Sequence, residues 1–118
     1  MKKEKSKEKR RLKRYTERCE TEFTAYNTTY RGLSDNFSLN GFFIRTIHLL
    51  PPGKIIDILI HLPDGSISQL KGKVVRDVET LFEKQTGTQK YVHNGMGVEI
   101  IEKDINYLHF VRSLLERK

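Results

Sequence analysis

Two short clusters could do chemistry together: Arg10 and Arg14 in an R-x-x-x-R spacing, and Asn36, Ser38 and Gly41 in an N-x-S-x-x-G spacing that begins 22 residues after Arg14. Guanidinium forks donate in pairs to phosphate oxygens or to the O6/N7 edge of guanine, and their planar faces stack on bases. Lysine does only part of this. The second cluster adds an amide, a hydroxyl and a glycine over which a ligand approaches the backbone closely. Together these groups suit capture of a compact, anionic purine nucleotide. Each cluster alone also has an ordinary reading, the first as a solvated basic tail and the second as a polar turn. Lys9 and Arg11 flank the arginine pair and could add phosphate contacts, and Arg76 is a further candidate on a downstream strand. Asp35 lies one place out of register with Asn36, so on a strand it points to the other face.

Short strands must position these groups. From Cys19 to Ile101, turn signals recur every ten or so residues between β-branched and aromatic runs, which predicts six antiparallel strands over about 19–26, 29–37, 41–48, 54–62, 66–80 and 90–101. Asn27-Thr28 is the expected tight link between the first two. Pro51-Pro52-Gly53 separates the third from the fourth, and Pro63-Asp64-Gly65 has Pro and Gly placed for a hairpin turn. In the fourth strand Ile56, Ile58 and Ile60 alternate with Ile55, Asp57, Leu59 and His61, predicting partial burial of both faces. The fifth strand is expected to be long and bent, and residues 81–94 read as a polar surface loop with Phe82 as its large anchor. Gly95 and Gly97 permit a bend in the last strand. After Ile101 the period changes: Asp104 is an N-cap candidate, and Ile105, Leu108, Val111 and Leu115 form a stripe widened by Tyr107, Phe110 and Leu114. A terminal helix is predicted, covering a barrel end or partly meeting another subunit. Six such strands close into a small barrel, which removes exposed edges.

The two clusters, in this order and separation, resemble the signatures RxxxR and [D/N]xSxxG of the PilZ domain, a bacterial receptor module for cyclic di-GMP. Leu50-Pro51-Pro52-Gly53, Leu62-Pro63-Asp64-Gly65, Gly72-Lys73-Val74-Val75-Arg76 and Gly95-Met96-Gly97-Val98-Glu99-Ile100 look like the family's turns and later strands. The resemblance covers roughly residues 10–115. It implies a six-stranded antiparallel β-barrel of split-barrel type with a C-terminal helix, and a binding role in which Arg10 and Arg14 contact guanine edges, base faces and phosphates. It also implies that Asn36, Ser38 and Gly41 lie where the second strand turns into the third, beside the N-terminal arm, and that the position of Lys9 bears on whether one ligand or a stacked pair binds. Asn36 stands at the family's Asp-or-Asn position and offers one acceptor oxygen plus a donor in place of two acceptors.

Composition bounds the rest. The chain of 118 residues is expected to form one domain over 10–118, preceded by a basic tail over 1–9, and burying about two-thirds of its unfolded surface. Residues 1–18 carry ten Lys or Arg against three Glu, and the remaining residues carry twelve of each sign, so the whole net charge of +7 sits at the N-terminus. A segment so poor in apolar residues cannot offset its ordering entropy and is expected to be mobile until an anion or partner organises it. The single Cys19 excludes an internal disulfide and reads as a buried small hydrophobe. No apolar run approaches the roughly 18 residues of a membrane span and no secretory h-region follows the basic start, so a cytoplasmic protein is expected. His48, His61, His93 and His109 lack metal-ligand spacing and Ser38 lacks a nucleophile-elbow context, so neither catalysis nor a cofactor is expected. The expected partners are cyclic di-GMP and an effector protein that the chain does not identify. The alternatives are a nucleotide-independent adaptor of the same family and, ranked lower, a small barrel binding nucleic acid through its arm and Tyr15, Phe23, Tyr26 and Tyr30.

Overall fold

The computed structural model describes residues 17–83 and 90–116, with side chains described for 17–75 and 95–116. The tail 1–9 and the Arg10–Arg14 segment lie outside the described residues. Six strands, β1 (Cys19–Ala25), β2 (Thr28–Asp35), β3 (Gly41–Arg45), β4 (Ile55–His61), β5 (Ile67–Glu83) and β6 (Lys90–Glu102), are followed by one helix, α1 (Ile105–Glu116). The strands close into an antiparallel barrel in the order β1-β2-β3-β6-β5-β4. The expected barrel with a C-terminal helix is therefore the observed architecture, and no described helix is long and apolar enough to cross a membrane.

Alternation builds the core. Phe23 from β1, Phe42 and Ile44 from β3, Ile56, Ile58 and Ile60 from β4, Leu70 and Val74 from β5, and Met96 and Val98 from β6 all point inward and are buried. In β4 the outward set is not buried as expected: Ile55, Asp57 and His61 are exposed and only Leu59 is half-buried, because a barrel wall has one dry face. Phe23 stacks on Tyr30, its cross-strand partner in the β1–β2 register, with ring centroids 5.3 Å apart. Phe23 is fully buried and Tyr30 is half-buried against the same core.

Four local expectations change. The β1–β2 link is Tyr26-Asn27, not Asn27-Thr28, since Ala25 pairs with Thr28 and both link residues have positive φ, 54° and 61°. A two-residue hairpin needs that conformation at both central positions to match strand twist, and Asn adopts it readily. β3 ends at Arg45 instead of reaching residue 48, and 46–50 forms a connection in which Thr46 donates to the Arg31 carbonyl at 3.1 Å. Residues 81–83 and 90–94 are strand where a surface loop was expected: β5 runs to Glu83 and β6 starts at Lys90, paired through Leu81↔Val92 and Phe82↔Tyr91, and the rest of that span lies outside the described residues. The strand preference of Val78, Thr80, Leu81, Phe82, Tyr91 and Val92 outweighs the polar residues between them. β5 is long and irregular as expected, with register shifts at Lys71/Gly72 and Val74/Arg76. In α1 the buried residues are Tyr107, Phe110, Val111 and Leu114, while Ile105 and Leu115 are 60% and 59% exposed and Leu108 is also exposed. The helix presents the arc centred on Tyr107 and Leu114 because its aromatic rings fill the barrel mouth against Phe37 and Phe42.

Asp104 caps α1 as expected. Its Oδ1 accepts from the Tyr107 backbone N–H at 2.9 Å and from the Ser68 hydroxyl, and its Oδ2 accepts from the Gln69 N–H, so one carboxylate ends the barrel and starts the helix.

Cys19 is buried. Burial, aided by the charge of Glu17, pushes its thiol up to about 11. A thiol raised by about two units presents about a hundredfold less thiolate at neutral pH. Iodoacetamide at pH 8 is expected to alkylate the folded chain about a hundredfold more slowly than the urea-unfolded chain, and equal rates would contradict the burial. Because the folded value is raised, the stabilising contribution is complete below pH 9.0 and is lost as pH rises through about 11.

Candidate functional site

The turn between β2 and β3 is held by contacts from distant parts of the chain. Asn36 has a left-handed φ of 55°, which turns the chain off β2 at a residue type that tolerates this conformation. Phe37 drops into the core. The Ser38 N–H and hydroxyl both donate to the Gly41 carbonyl, at 2.9 and 3.0 Å. From outside the turn, the Tyr107 hydroxyl donates to the Ser38 carbonyl at 2.8 Å. Lys103 Nζ donates to the Leu39 carbonyl at 2.6 Å, and the Ile100 N–H donates to the Asn40 carbonyl at 2.9 Å. Three of the turn's carbonyls are thus held by β6, α1 and the residue between them, so the loop is rigidly placed.

Gly41 meets a steric demand. A Cβ there would lie 2.5 Å from the Val98 carbonyl oxygen, so any side chain would force β3 away from β6. Gly95 admits the ring of Phe43, whose edge atoms occupy the place a Cβ would take; that, and not only a bend, is its structural use. Beside the turn is a hollow of about 350 Å³ lined by Asn36, Gly41, Phe43, Val75, Gly97 and Val98, within the size range of small-ligand sites. Ser38 does not line it. A larger groove of about 450 Å³ along β1 and β2 is lined by Glu20, Glu22, Arg31 and His61 among others.

Asp35 is 1% exposed and pairs with Phe43 in the β2–β3 register, so the two share a face, while Asn36, whose left-handed φ ends the strand alternation, is half-buried. The Asp35 Oδ2 accepts from Arg45 Nε at 2.6 Å and lies 3.4 Å from Arg18 Nε, while its Oδ1 is buried without a hydrogen-bond partner among the described residues. Arg18 is thereby tied to the residue next to Asn36. Since Arg14 precedes it by only four residues, it lies within about 14 Å of chain from that point.

Of the residues expected to act, the structure brings Asn36 and Gly41 together at the hollow and puts Ser38 inside the turn. Arg10, Arg14, Lys9 and Arg11 lie outside the described residues. Arg76 pairs with Gly97 on the β5–β6 ladder, beside the hollow, and its side chain is outside the described set. Sequence reasoning missed Phe43, Val75 and Arg45 and set Asp35 aside. Alternation from Gly41 was the available signal for two of them, since Gly41, Phe43 and Arg45 fall on one face of β3.

The PilZ domain pattern matches residues 7–117. No curated protein matches the sequence. The fold is similar to the solved PilZ domain with c-di-GMP of YcgR from Escherichia coli, at a TM-score of 0.67 and 9% identity over 87% of this chain and 85% of that one. It is also similar to the Bacillus subtilis inhibitor of motility MotI/DgrA, at a TM-score of 0.64 and 17% identity, covering 90% of this chain and 52% of that chain. With a family pattern that spans nearly its whole length, the chain belongs to the PilZ domain family.

Proposed function

We propose that the chain is a receptor for cyclic di-GMP, binding it between the Arg10/Arg14 arm and the Asn36–Gly41 turn. The observation that carries this reading is the turn, held by Tyr107, Lys103 and Ile100 beside the point where Arg18 ties the arm to β2. In this reading Arg10 and Arg14 grip phosphates and a guanine edge through charge-assisted pairs. Asn36 meets the Watson–Crick edge of a guanine with its amide oxygen, and Gly41 lets the base lie close to the backbone. The Ser38 oxygen, whose proton goes to Gly41, keeps lone pairs that accept from a purine N–H. Lys9, Arg11 and Arg76 add positive potential around the phosphates.

Closing the arm orders about six residues at about 1–2 kcal/mol each, which offsets much of the contact energy. A dissociation constant in the submicromolar to micromolar range follows, near 8 kcal/mol net. The same ordering makes a switch, because the ligand-clamped arm creates or hides a surface for an effector protein.

The test is isothermal titration of the full chain with cyclic di-GMP at several salt concentrations. A ligand with two phosphates is expected to weaken by about tenfold or less between 50 and 200 mM salt, against about a thousandfold or more for a polymer held through six or more phosphates. Backbone amide resonances of residues 36–41 should shift on saturation. Absence of heat and of shifts would leave the nucleotide-independent adaptor in its place.

A further inference from the structure

Arg45 ends β3 on the outer face that carries Gly41 and Phe43. Its guanidinium carbon lies 5.4 Å from the centroid of the Phe43 ring, and Phe43 lines the hollow beside Asn36. Among the described residues the guanidinium is held through one atom: Nε donates to Asp35 Oδ2 at 2.6 Å. A bidentate pair would place a terminal nitrogen on Oδ1, yet that oxygen has no partner among the described residues. Both terminal nitrogens of Arg45 are therefore unused among the described residues, on a side chain 35% exposed. The carboxylate beneath it is 2% exposed.

Stability does not account for this arrangement. A buried carboxylate satisfied on one oxygen is costly, and apolar replacements of such pairs are often neutral or stabilising. What the arrangement does achieve is orientation. A guanidinium fixed at Nε and lying against an aromatic ring loses little freedom when its outer edge meets an oxyanion.

We propose that Arg45, oriented by Asp35 and Phe43, is a further ligand-contact residue whose terminal nitrogens donate to a phosphate of the bound dinucleotide. This rests on the reading of the turn as a cyclic di-GMP site. Arg45 then contacts the ligand from the barrel side. Arg18, on the same carboxylate oxygen, links occupancy at Arg45 to the root of the arm.

The test uses the full chain titrated calorimetrically with cyclic di-GMP. Arg45→Lys keeps a charge for Asp35 and the phosphate but loses the fork, and is expected to bind about threefold more weakly. Arg45→Met strands the buried carboxylate, so it is combined with Asp35→Asn, and that double variant is expected to bind about tenfold more weakly. Amide resonances of residues 36–41 in the free variants should match the unaltered chain, which a merely structural role for Arg45 would not allow together with weaker binding. In the unaltered chain, the terminal-nitrogen signals of Arg45 should shift on saturation while its Nε signal stays in place. If the unaltered chain binds but both variants bind within twofold of it and those signals stay still, Arg45 is not a contact and the ligand reading survives. No heat from the unaltered chain overturns both.

Discussion

Tyr107→Ala is expected to lower the unfolding free energy by about 3–5 kcal/mol, the usual cost of deleting a fully buried aromatic ring. That is a large share of the roughly 5–15 kcal/mol of an ordinary domain. The ring is 0% exposed and meets Phe37, Phe42 and Phe110 with centroids 6.4, 6.1 and 6.4 Å away, so its removal opens the joint between α1 and the barrel mouth. Its hydroxyl carries a separable part of the effect, because it also holds the Ser38 carbonyl. Tyr107→Phe keeps the ring and gives up the hydroxyl's bond to Ser38 with its longer contact to the Gly41 carbonyl at 3.5 Å, and is expected to cost about 1–2 kcal/mol. Urea midpoints of the two variants separate packing from anchoring. A Tyr107→Ala midpoint equal to that of the unaltered chain would mean that the helix does not close the barrel. If the turn is the ligand site, Tyr107→Phe should also weaken cyclic di-GMP, since the loop loses a tether while the fold remains.

Arg14→Ala is expected to weaken cyclic di-GMP about a hundredfold, equivalent to about 2.7 kcal/mol and in the range of an arginine anchor at an interface centre. The arithmetic follows from the charge-assisted pairs it would form, each worth about 1.5–3 kcal/mol. Arg14→Lys should recover only a part of this, because a point charge serves a phosphate but not the O6/N7 edge of guanine. The unfolding free energy should stay within about 0.5 kcal/mol of that of the unaltered chain. Calorimetry and urea unfolding together make the outcome unambiguous: equal heats from Arg14→Ala and the unaltered chain would remove the arm from the site, whatever the turn does.

Much of this was legible in the sequence because it is governed by local rules. Period-2 alternation in Ile56, Ile58 and Ile60 identified the buried face of β4. Pro63 and Gly65 marked a hairpin because their backbone preferences are intrinsic, and Gly65 does take a positive φ of 93°. Asp104 was visible as a cap for the same reason. The N-x-S-x-x-G spacing was visible as a polar turn, and Ser38 and Gly41 do close one.

Tertiary structure decided what depends on partners distant in the chain. The helix buries Tyr107 and Leu114 and leaves Ile105 and Leu115 in solvent because the barrel mouth offers aromatic partners to only one arc, and an apolar stripe cannot announce which of its two margins will find a neighbour. The β5–β6 ribbon extends through residues read as a loop because each strand supplies the ladder the other needs. The rigidity of the turn comes from Tyr107 and Lys103, more than sixty residues downstream. The place of Asp35 under Arg45 and Arg18 exists only once β1, β2 and β3 lie side by side, since a carboxylate's burial and its choice of cation follow from strand pairing and not from neighbours in the chain.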